Sequence, residues 1–245
     1  RRHTLVRLEV APEDYERIAE QFGAYLSARF GIRINLATYD VTDYLRPSAN
    51  TIGVMLGDGW HRGKLAFAEQ RNHYGTELSV IAQLELVFED GSMQTIATDD
   101  SWTCSQGEVR FADIYDGCTI DLSKAQHGWS EPGFDASSWS PVVVHSLDKG
   151  VLQPRISPPI REVGRFPMTL QKLNDRVLMS AEQNVSGWVE LTVDGKKGDT
   201  VVVRHAEVLE PGPVLHTKAL RTAKATDHYT LDRDGRHVLT PVFTF

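Results

Sequence analysis

Leu78-Ser-Val-Ile-Ala-Gln-Leu-Glu-Leu-Val-Phe88, the turn Glu89-Asp90-Gly91-Ser92 and the run Thr95-Ile-Ala-Thr98 decide how the whole chain is read. The flanking runs are short, apolar and rich in β-branched residues, and the residues between them are turn formers. Gly and Asp accept the positive φ that a tight hairpin demands, so the stretch predicts two antiparallel strands. The same punctuation recurs. Val193-Asp194-Gly195 precedes Thr200 to His205, and Asp232-Arg-Asp234-Gly235 separates Tyr229-Thr-Leu231 from Val238-Leu-Thr240. Each predicts another hairpin. Short runs divided by turn residues fill most of the chain, which is the pattern of an all-β sandwich.

One segment breaks the pattern. From Pro12 to Phe30, Ile18, Phe22, Tyr25, Leu26 and Phe30 fall on one helical face, with Pro12 opening the segment and Gly31 closing it. An N-terminal amphipathic helix is expected there. A chain of 245 residues suits two ordinary domains. The best linker is Gln153-Pro-Arg-Ile-Ser-Pro158-Pro159, whose prolines deny ladder donors. The expected fold is therefore all-β, two consecutive antiparallel β-sandwich (jelly-roll-like) domains over 36–150 and 151–245, after a helical segment over 1–35. The sequence stops at Val242-Phe-Thr-Phe245, inside an expected apolar strand, which predicts that the chain is part of something larger.

Composition narrows the function. Net charge is -7 and the basic residues are scattered among acidic ones, so no phosphate-binding stripe exists and nucleic acid is not an expected partner. No apolar run approaches the roughly 20 residues of a membrane-spanning helix. Arg1-Arg-His-Thr-Leu-Val-Arg-Leu does not read as a signal peptide, and the compartment stays open. Cys104 and Cys118 lack metal-ligand spacing and read as free thiols, with one bridge between them as the alternative.

Glycoside hydrolysis uses two carboxylates across a cleft, about 5 to 9.5 Å apart depending on stereochemistry. Here the acidic candidates Glu89, Asp90, Asp99, Asp100, Asp194, Asp232 and Asp234 sit in or beside expected turns, where Asp serves local hydrogen bonding. Turn chemistry outweighs catalysis for all of them, and no catalytic residue is assigned. Asp232-Arg-Asp234-Gly235 opens like a calcium loop but lacks the distal bidentate Glu. The histidines show no zinc-protease spacing, and no Gly-x-Ser-x-Gly elbow is present.

Gly57-Asp58-Gly-Trp60-His-Arg62-Gly-Lys64 is the stretch with binding chemistry. Its glycines permit a tight turn that presents an aromatic ring beside a guanidinium and a carboxylate. Aromatic faces pack on sugar C–H faces and charged groups fork to hydroxyls, so Asp58, Trp60, Arg62, Asn72 and Tyr74 are the candidate carbohydrate-binding residues. Against this stands the commoner role of Trp in sandwich cores, which is the reading given to Trp102, Trp129, Trp139 and Trp188.

Thr38-Tyr-Asp-Val-Thr-Asp-Tyr-Leu-Arg-Pro47, Asn50-Thr-Ile-Gly-Val54, Leu56-Gly-Asp-Gly-Trp-His-Arg-Gly63, Tyr74-Gly75 and Asp113-Ile-Tyr-Asp-Gly117 together resemble the N-terminal region of bacterial α-L-rhamnosidases, a glycoside hydrolase family. Gln183-Asn-Val-Ser-Gly-Trp188, His205-Ala-Glu-Val-Leu209 and Leu220-Arg-Thr-Ala-Lys-Ala-Thr-Asp-His-Tyr229 resemble the next β-domain of the same enzymes. The resemblance runs from about residue 36 to the end. It implies an accessory, non-catalytic portion of an enzyme that hydrolyses terminal α-L-rhamnosides by inversion. The catalytic (α/α)6 barrel that follows in the family would be the missing partner, and a rhamnose-containing glycan the ligand. It also implies that the first sandwich could act as a calcium-dependent rhamnose-binding module, as in some relatives. The alternative readings are a stand-alone rhamnose-binding module and a structural segment with no ligand. Two features depart from the family pattern: the helical segment before residue 35, and Ser180-Ala-Glu182 where the family has Asp-Phe-Gly.

Overall fold

The computed structural model describes residues 34–65, 70–146, 152–155, 158 and 160–243. The helix expected over Pro12–Phe30 lies outside them. Of the expected final strand, Val242 and Phe243 form a bend, and residues 244 and 245 are also outside. The described residues hold sixteen strands: β1 (Ile34–Leu36), β2 (Gln83–Val87), β3 (Met93–Ala97), β4 (Thr103–Cys104), β5 (Val109–Asp113), β6 (Gly117–Asp121), β7 (Ser140–Pro141), β8 (Leu152–Pro154), β9 (Thr169–Lys172), β10 (Val177–Ser180), β11 (Leu191–Gly195), β12 (Thr200–Arg204), β13 (Leu209–Glu210), β14 (Val214–Leu215), β15 (Thr226–Thr230) and β16 (Gly235–Leu239). Against these stands a single α-helical turn, α1 (Gly59–Arg62), so the class is all-β. Among the described residues no helix is long and apolar enough to cross a membrane.

Two compact units form. The first comprises Arg1–Leu65, Gln70–Gly107 and Ala125–Ser157; the second comprises Ala66–Glu69, Glu108–Lys124 and Pro158–Phe245. The sequence suggested a single cut near residue 150. β6 finds its sheet neighbour in β15, so the β5–β6 hairpin lies in the second unit.

In the first unit β2 and β3 pair as an antiparallel hairpin. Its turn is the Asp-Gly turn read from sequence: Phe88 N–H donates to Ser92 O at 3.0 Å, Gly91 N–H to Phe88 O at 2.9 Å, and Gly91 takes φ +79°. β4 pairs antiparallel with β7, while β1 and β8 pair in parallel. Trp139 anchors an aromatic cluster, with ring centroids 6.4 Å from Trp129 and 5.7 Å from Phe134. Its indole N–H donates to Gln126 Oε1 at 2.8 Å, and Gln126 in turn donates to Ser105 Oγ and Gln106 O. Trp129 also closes over Gly53, where a Cβ would overlap its ring. These two tryptophans pack internally as expected. Trp188 does not, being 42% exposed.

The second unit is a two-layer sandwich. One layer is the sheet β12-β15-β6-β5, and facing it are the pair β11–β16 and β10 of the β9–β10 hairpin. Between the layers, Cys118, Ile120, Val203, Tyr229, Leu231 and Leu239 are buried, with Val109, Met179, Leu191, Val193 and Val201 packed against them. Alternation places Val201 and Val203 inward and Val202 and Arg204 outward on β12, as strand geometry requires. Cys118 is buried, Cys104 is exposed, and both are free thiols.

Two expected hairpins are corrected here. β11 pairs with β16 and β12 with β15, so the turns after Gly195 and after Thr230 carry the chain from one layer to the other instead of back along itself. The turns lie side by side. Gly198 N–H donates to Leu231 O and Leu231 N–H to Asp199 O, each at 2.9 Å, and Lys197 N–H donates to Asp234 Oδ1 at 2.8 Å. Gly198 at φ +86° makes the first turn, while Asp194 and Gly195 remain inside β11. The antiparallel expectation also fails at β15–β6, which is parallel.

That parallel join is stitched to Asp113-Ile-Tyr-Asp-Gly117. Ala225 N–H donates to Tyr115 O and Thr226 N–H to Asp116 O, each at 3.0 Å, and Lys224 N–H donates to Asp116 Oδ1 at 3.1 Å. Cys118 N–H donates to Asp227 Oδ1 at 2.9 Å, and Asp227 Oδ2 lies 3.0 Å from His205 Nε2. Burial raises the Asp227 pKa, but the bonds from His205 and Cys118 outweigh it and hold the carboxyl below its ordinary value. A lowered folded pKa contributes stability above the unfolded value near 4, and that contribution is lost as pH falls through the folded value. Asp227→Asn keeps an acceptor for Cys118 but cannot ionise. Between pH 7 and pH 3 the wild-type urea midpoint should therefore fall further than the variant's. Parallel curves would show that the carboxylate charge does not matter.

Candidate functional site

The five candidate residues lie in the first unit, around one turn of helix. Arg62 N–H donates to Asp58 O at 3.0 Å and closes α1. The segment after residue 70 then folds back along it: Asn72 N–H donates to Arg62 O at 3.1 Å and Tyr74 N–H to His61 O at 3.2 Å. Asn72 adopts φ +62°, a conformation Asn tolerates better than most residues, and it turns the chain at this point.

Asp58 holds the turn together. It is 5% exposed; its Oδ1 accepts from Arg62 Nε at 2.7 Å and its Oδ2 from Arg71 at 2.6 Å. Two guanidiniums on one buried carboxylate make charge-assisted bonds that fix both arms of the turn. Arg62 also donates to Thr76 O at 3.4 Å. His61 is 2% exposed, with Nε2 2.9 Å from Glu77 O. These contacts leave Trp60 52% and Tyr74 37% exposed on a braced backbone.

The site therefore divides. Asp58 and Arg62 meet each other, Asn72 contributes its backbone, and Trp60 and Tyr74 present ring surface to solvent. Asp58, 5% exposed and bonded to Arg62 and Arg71, serves the turn instead of presenting an oxygen to a sugar. Arg71 and His61 were not singled out in the sequence, because nothing local marks a basic residue as the partner of a carboxylate thirteen positions away.

Calcium fits poorly at Asp58 and Asn72. A calcium ion takes six to eight oxygens, whereas the Asp58 oxygens face two cations. Among the described residues no group of three or more His, Cys, Asp or Glu could hold a metal ion. The turn carboxylates serve their turns. Asp90 Oδ1 accepts from the Ser92 N–H and hydroxyl, and Asp99 Oδ1 from those of Ser101. The hydroxyl bond, then the backbone bond, holds each of these carboxyls below its ordinary value, opposite to the raised pKa of a general acid. Asp232 pairs with His237 at 3.1 Å and Arg233 at 2.9 Å, and Asp234 caps the Lys197 turn, so neither opens a calcium loop.

Residues 16–164 match the family description "Alpha-L-rhamnosidase N-terminal domain" and residues 171–245 match "Bacterial alpha-L-rhamnosidase concanavalin-like domain". The first match begins at residue 16, ahead of the motifs that start near residue 36. Among curated proteins the chain is 36% identical over 219 residues to an alpha-L-rhamnosidase of Streptomyces avermitilis, covering 87% of this chain and 21% of that protein. It is 33% identical to one of Alteromonas sp. (strain LOR), covering 87% and 23%. Among solved structures it superposes on an alpha-L-rhamnosidase of Aspergillus terreus with a TM-score of 0.79 at 31% identity, covering 98% of this chain and 28% of that one. The Streptomyces avermitilis enzyme, solved in complex with L-rhamnose, gives a TM-score of 0.76 at 28% identity, covering 98% and 23%. The chain thus spans 21% to 28% of the length of these relatives.

Proposed function

The chain belongs to the bacterial α-L-rhamnosidase family, and from that premise we propose that it is an accessory, non-catalytic portion of such an enzyme. The observation that carries this reading is the identity of the matched parts: an N-terminal domain and a concanavalin-like domain, which cover 21% and 23% of two relatives' lengths. The reaction proposed for the whole enzyme is inverting hydrolysis of terminal α-L-rhamnosides. Its acid and base would be supplied by an (α/α)6 barrel beyond this sequence. Purified chain given an aryl α-L-rhamnoside should release no rhamnose, and detectable turnover would overturn the assignment.

Within that role, the first unit is proposed to hold a rhamnose-containing glycan on Trp60 and Tyr74. Support comes from their exposure on a turn braced by Asp58, Arg62 and Arg71. A braced ring loses little entropy on binding, so stacking on a sugar face is retained as affinity. Calorimetric titration with L-rhamnose should saturate, and Trp60→Ala should weaken binding by about tenfold or more. Unchanged binding in that variant would move the site elsewhere. Because Asp58 is committed to two guanidiniums, affinity at this turn should be equal in calcium and in chelator. A calcium requirement would point to other ligands than Asp58 and Asn72.

A further inference from the structure

In the second unit, residues 181–190 join β10 to β11, and residues 182–188 are exposed throughout. The exposed stretch reads Glu182-Gln183-Asn184-Val185-Ser186-Gly187-Trp188. Trp188 is 42% exposed, in contrast to the internal packing of Trp129 and Trp139. A Cβ added at Gly187 would meet nothing within 4 Å, so the loop stands clear of neighbouring chain there. Its far end is tied down. Arg165 forks to both oxygens of Glu190, at 3.0 and 3.1 Å, and its Nε donates to Glu162 at 2.8 Å. Phe166, the next residue on that tied segment, is 58% exposed.

Polar loop residues elsewhere in this protein are engaged by the fold. The Asn50 amide accepts the Arg46 N–H and donates to the carbonyls of Arg46 and Ser48. The hydroxyls of Ser92, Ser101 and Ser123 each donate to the aspartate two positions earlier. Trp102 and Trp139 donate their indole N–H to Ala97 O and Gln126 Oε1. By contrast, the side chains of Gln183, Asn184, Ser186 and Trp188 make no hydrogen bond among the described residues. Their amides, hydroxyl and indole N–H are left for water or a ligand. A tryptophan among glycine, serine and amide residues is the composition of an adaptable binding loop, in which the rigid ring supplies contact area and the amides both donate and accept. A sugar offers the matching surfaces, a C–H face for the ring and hydroxyls for the amides. The loop holds no Lys, Arg or His, and its charged residues are Glu182 and Glu190, which suits a neutral sugar and disfavours an anionic one.

We propose that the loop over residues 181–190 is a second sugar-binding site, which holds a neutral sugar residue on Trp188, with Gln183, Asn184 and Ser186 bonding its hydroxyls. The choice of rhamnose as that sugar rests on the function proposed above. The site itself rests on the loop and does not depend on Trp60, which belongs to the other unit.

The test is calorimetric titration of the full chain with L-rhamnose in a Trp60→Ala background, which removes the ring of the first site. Binding should persist there and saturate in the millimolar range or below. Adding Trp188→Ala should weaken it by about tenfold or more, and adding Gln183→Ala/Asn184→Ala instead should weaken it by about threefold or more. These side chains are exposed, so circular dichroism and the urea midpoint should match those of the parent chain. Sodium glucuronate should bind more weakly than rhamnose. No saturable heat from the folded Trp60→Ala chain, binding that survives Trp188→Ala undiminished, or glucuronate binding more tightly than rhamnose would each overturn the proposal. Binding untouched by Trp60→Ala and abolished by Trp188→Ala would uphold this site while removing the one in the first unit, so the two readings fail separately.

Discussion

Gly117→Ala should destabilise the second unit by on the order of 4 kcal/mol, enough to unfold a marginal domain. Gly117 opens β6 at φ +95°, where an alanine is strained by about 1–3 kcal/mol. Its missing side chain is also where Thr226 passes: a Cβ at 117 would overlap the Thr226 carbonyl oxygen and approach Thr226 N at 2.9 Å. Backbone cannot rotate away as a side chain can, so the overlap must be relieved by moving β15 off the turn. That movement would break the bonds from Ala225 and Thr226 to Tyr115 and Asp116. Urea unfolding followed by tryptophan fluorescence and circular dichroism measures the loss. A shift of less than about 1 kcal/mol would mean that the β6–β15 join tolerates a gap.

Leu231→Ala should cost about 3 kcal/mol, within the range for emptying a fully buried leucine site. Leu231 is 1% exposed and lies where one interlocked turn enters the core. Its Cδ1 occupies the space a side chain on Gly195 would need. Gly195→Ala alone should therefore also destabilise, by overpacking. The double variant Gly195→Ala/Leu231→Ala should be more stable than the two separate losses added together, because the new methyl partly fills the new cavity. Strict additivity in unfolding free energy would show that the two positions do not share space.

What was legible in the sequence was local. The turn at Asp90-Gly91 was readable because its donors, acceptors and glycine lie within five residues and decide the hairpin unaided. The turns near Gly195 and Asp234 have similar local chemistry, but whether a chain returns along its own strand or crosses to a facing layer depends on which face is apolar and on partners far away. Alternation along β12 and β15 shows that each has a buried face, not whose strand lies beside it. The pairing of β6 with β15 spans more than a hundred positions, and no spacing rule reaches that far. At the candidate turn, Trp60 and Arg62 were visible as residue types on a glycine-rich segment. The division of labour was not visible, because Asp58 looks equally fit to meet a sugar or a guanidinium until Arg71 is seen beside it.

The placement of β5 and β6 has a consequence for synthesis on the ribosome. This hairpin emerges about a hundred residues before β15, so its edge waits without its sheet neighbour while the rest of the first unit is made. An edge left open for that long is exposed to wrong partners, and Asp121 on β6, with Asp116 in the turn that precedes it, is the kind of charge that discourages them. A fragment begun at residue 158 would lack both strands, so a clone cut at the proline-rich boundary is expected to yield insoluble protein, whereas one that retains residues 108–124 in the same polypeptide is not.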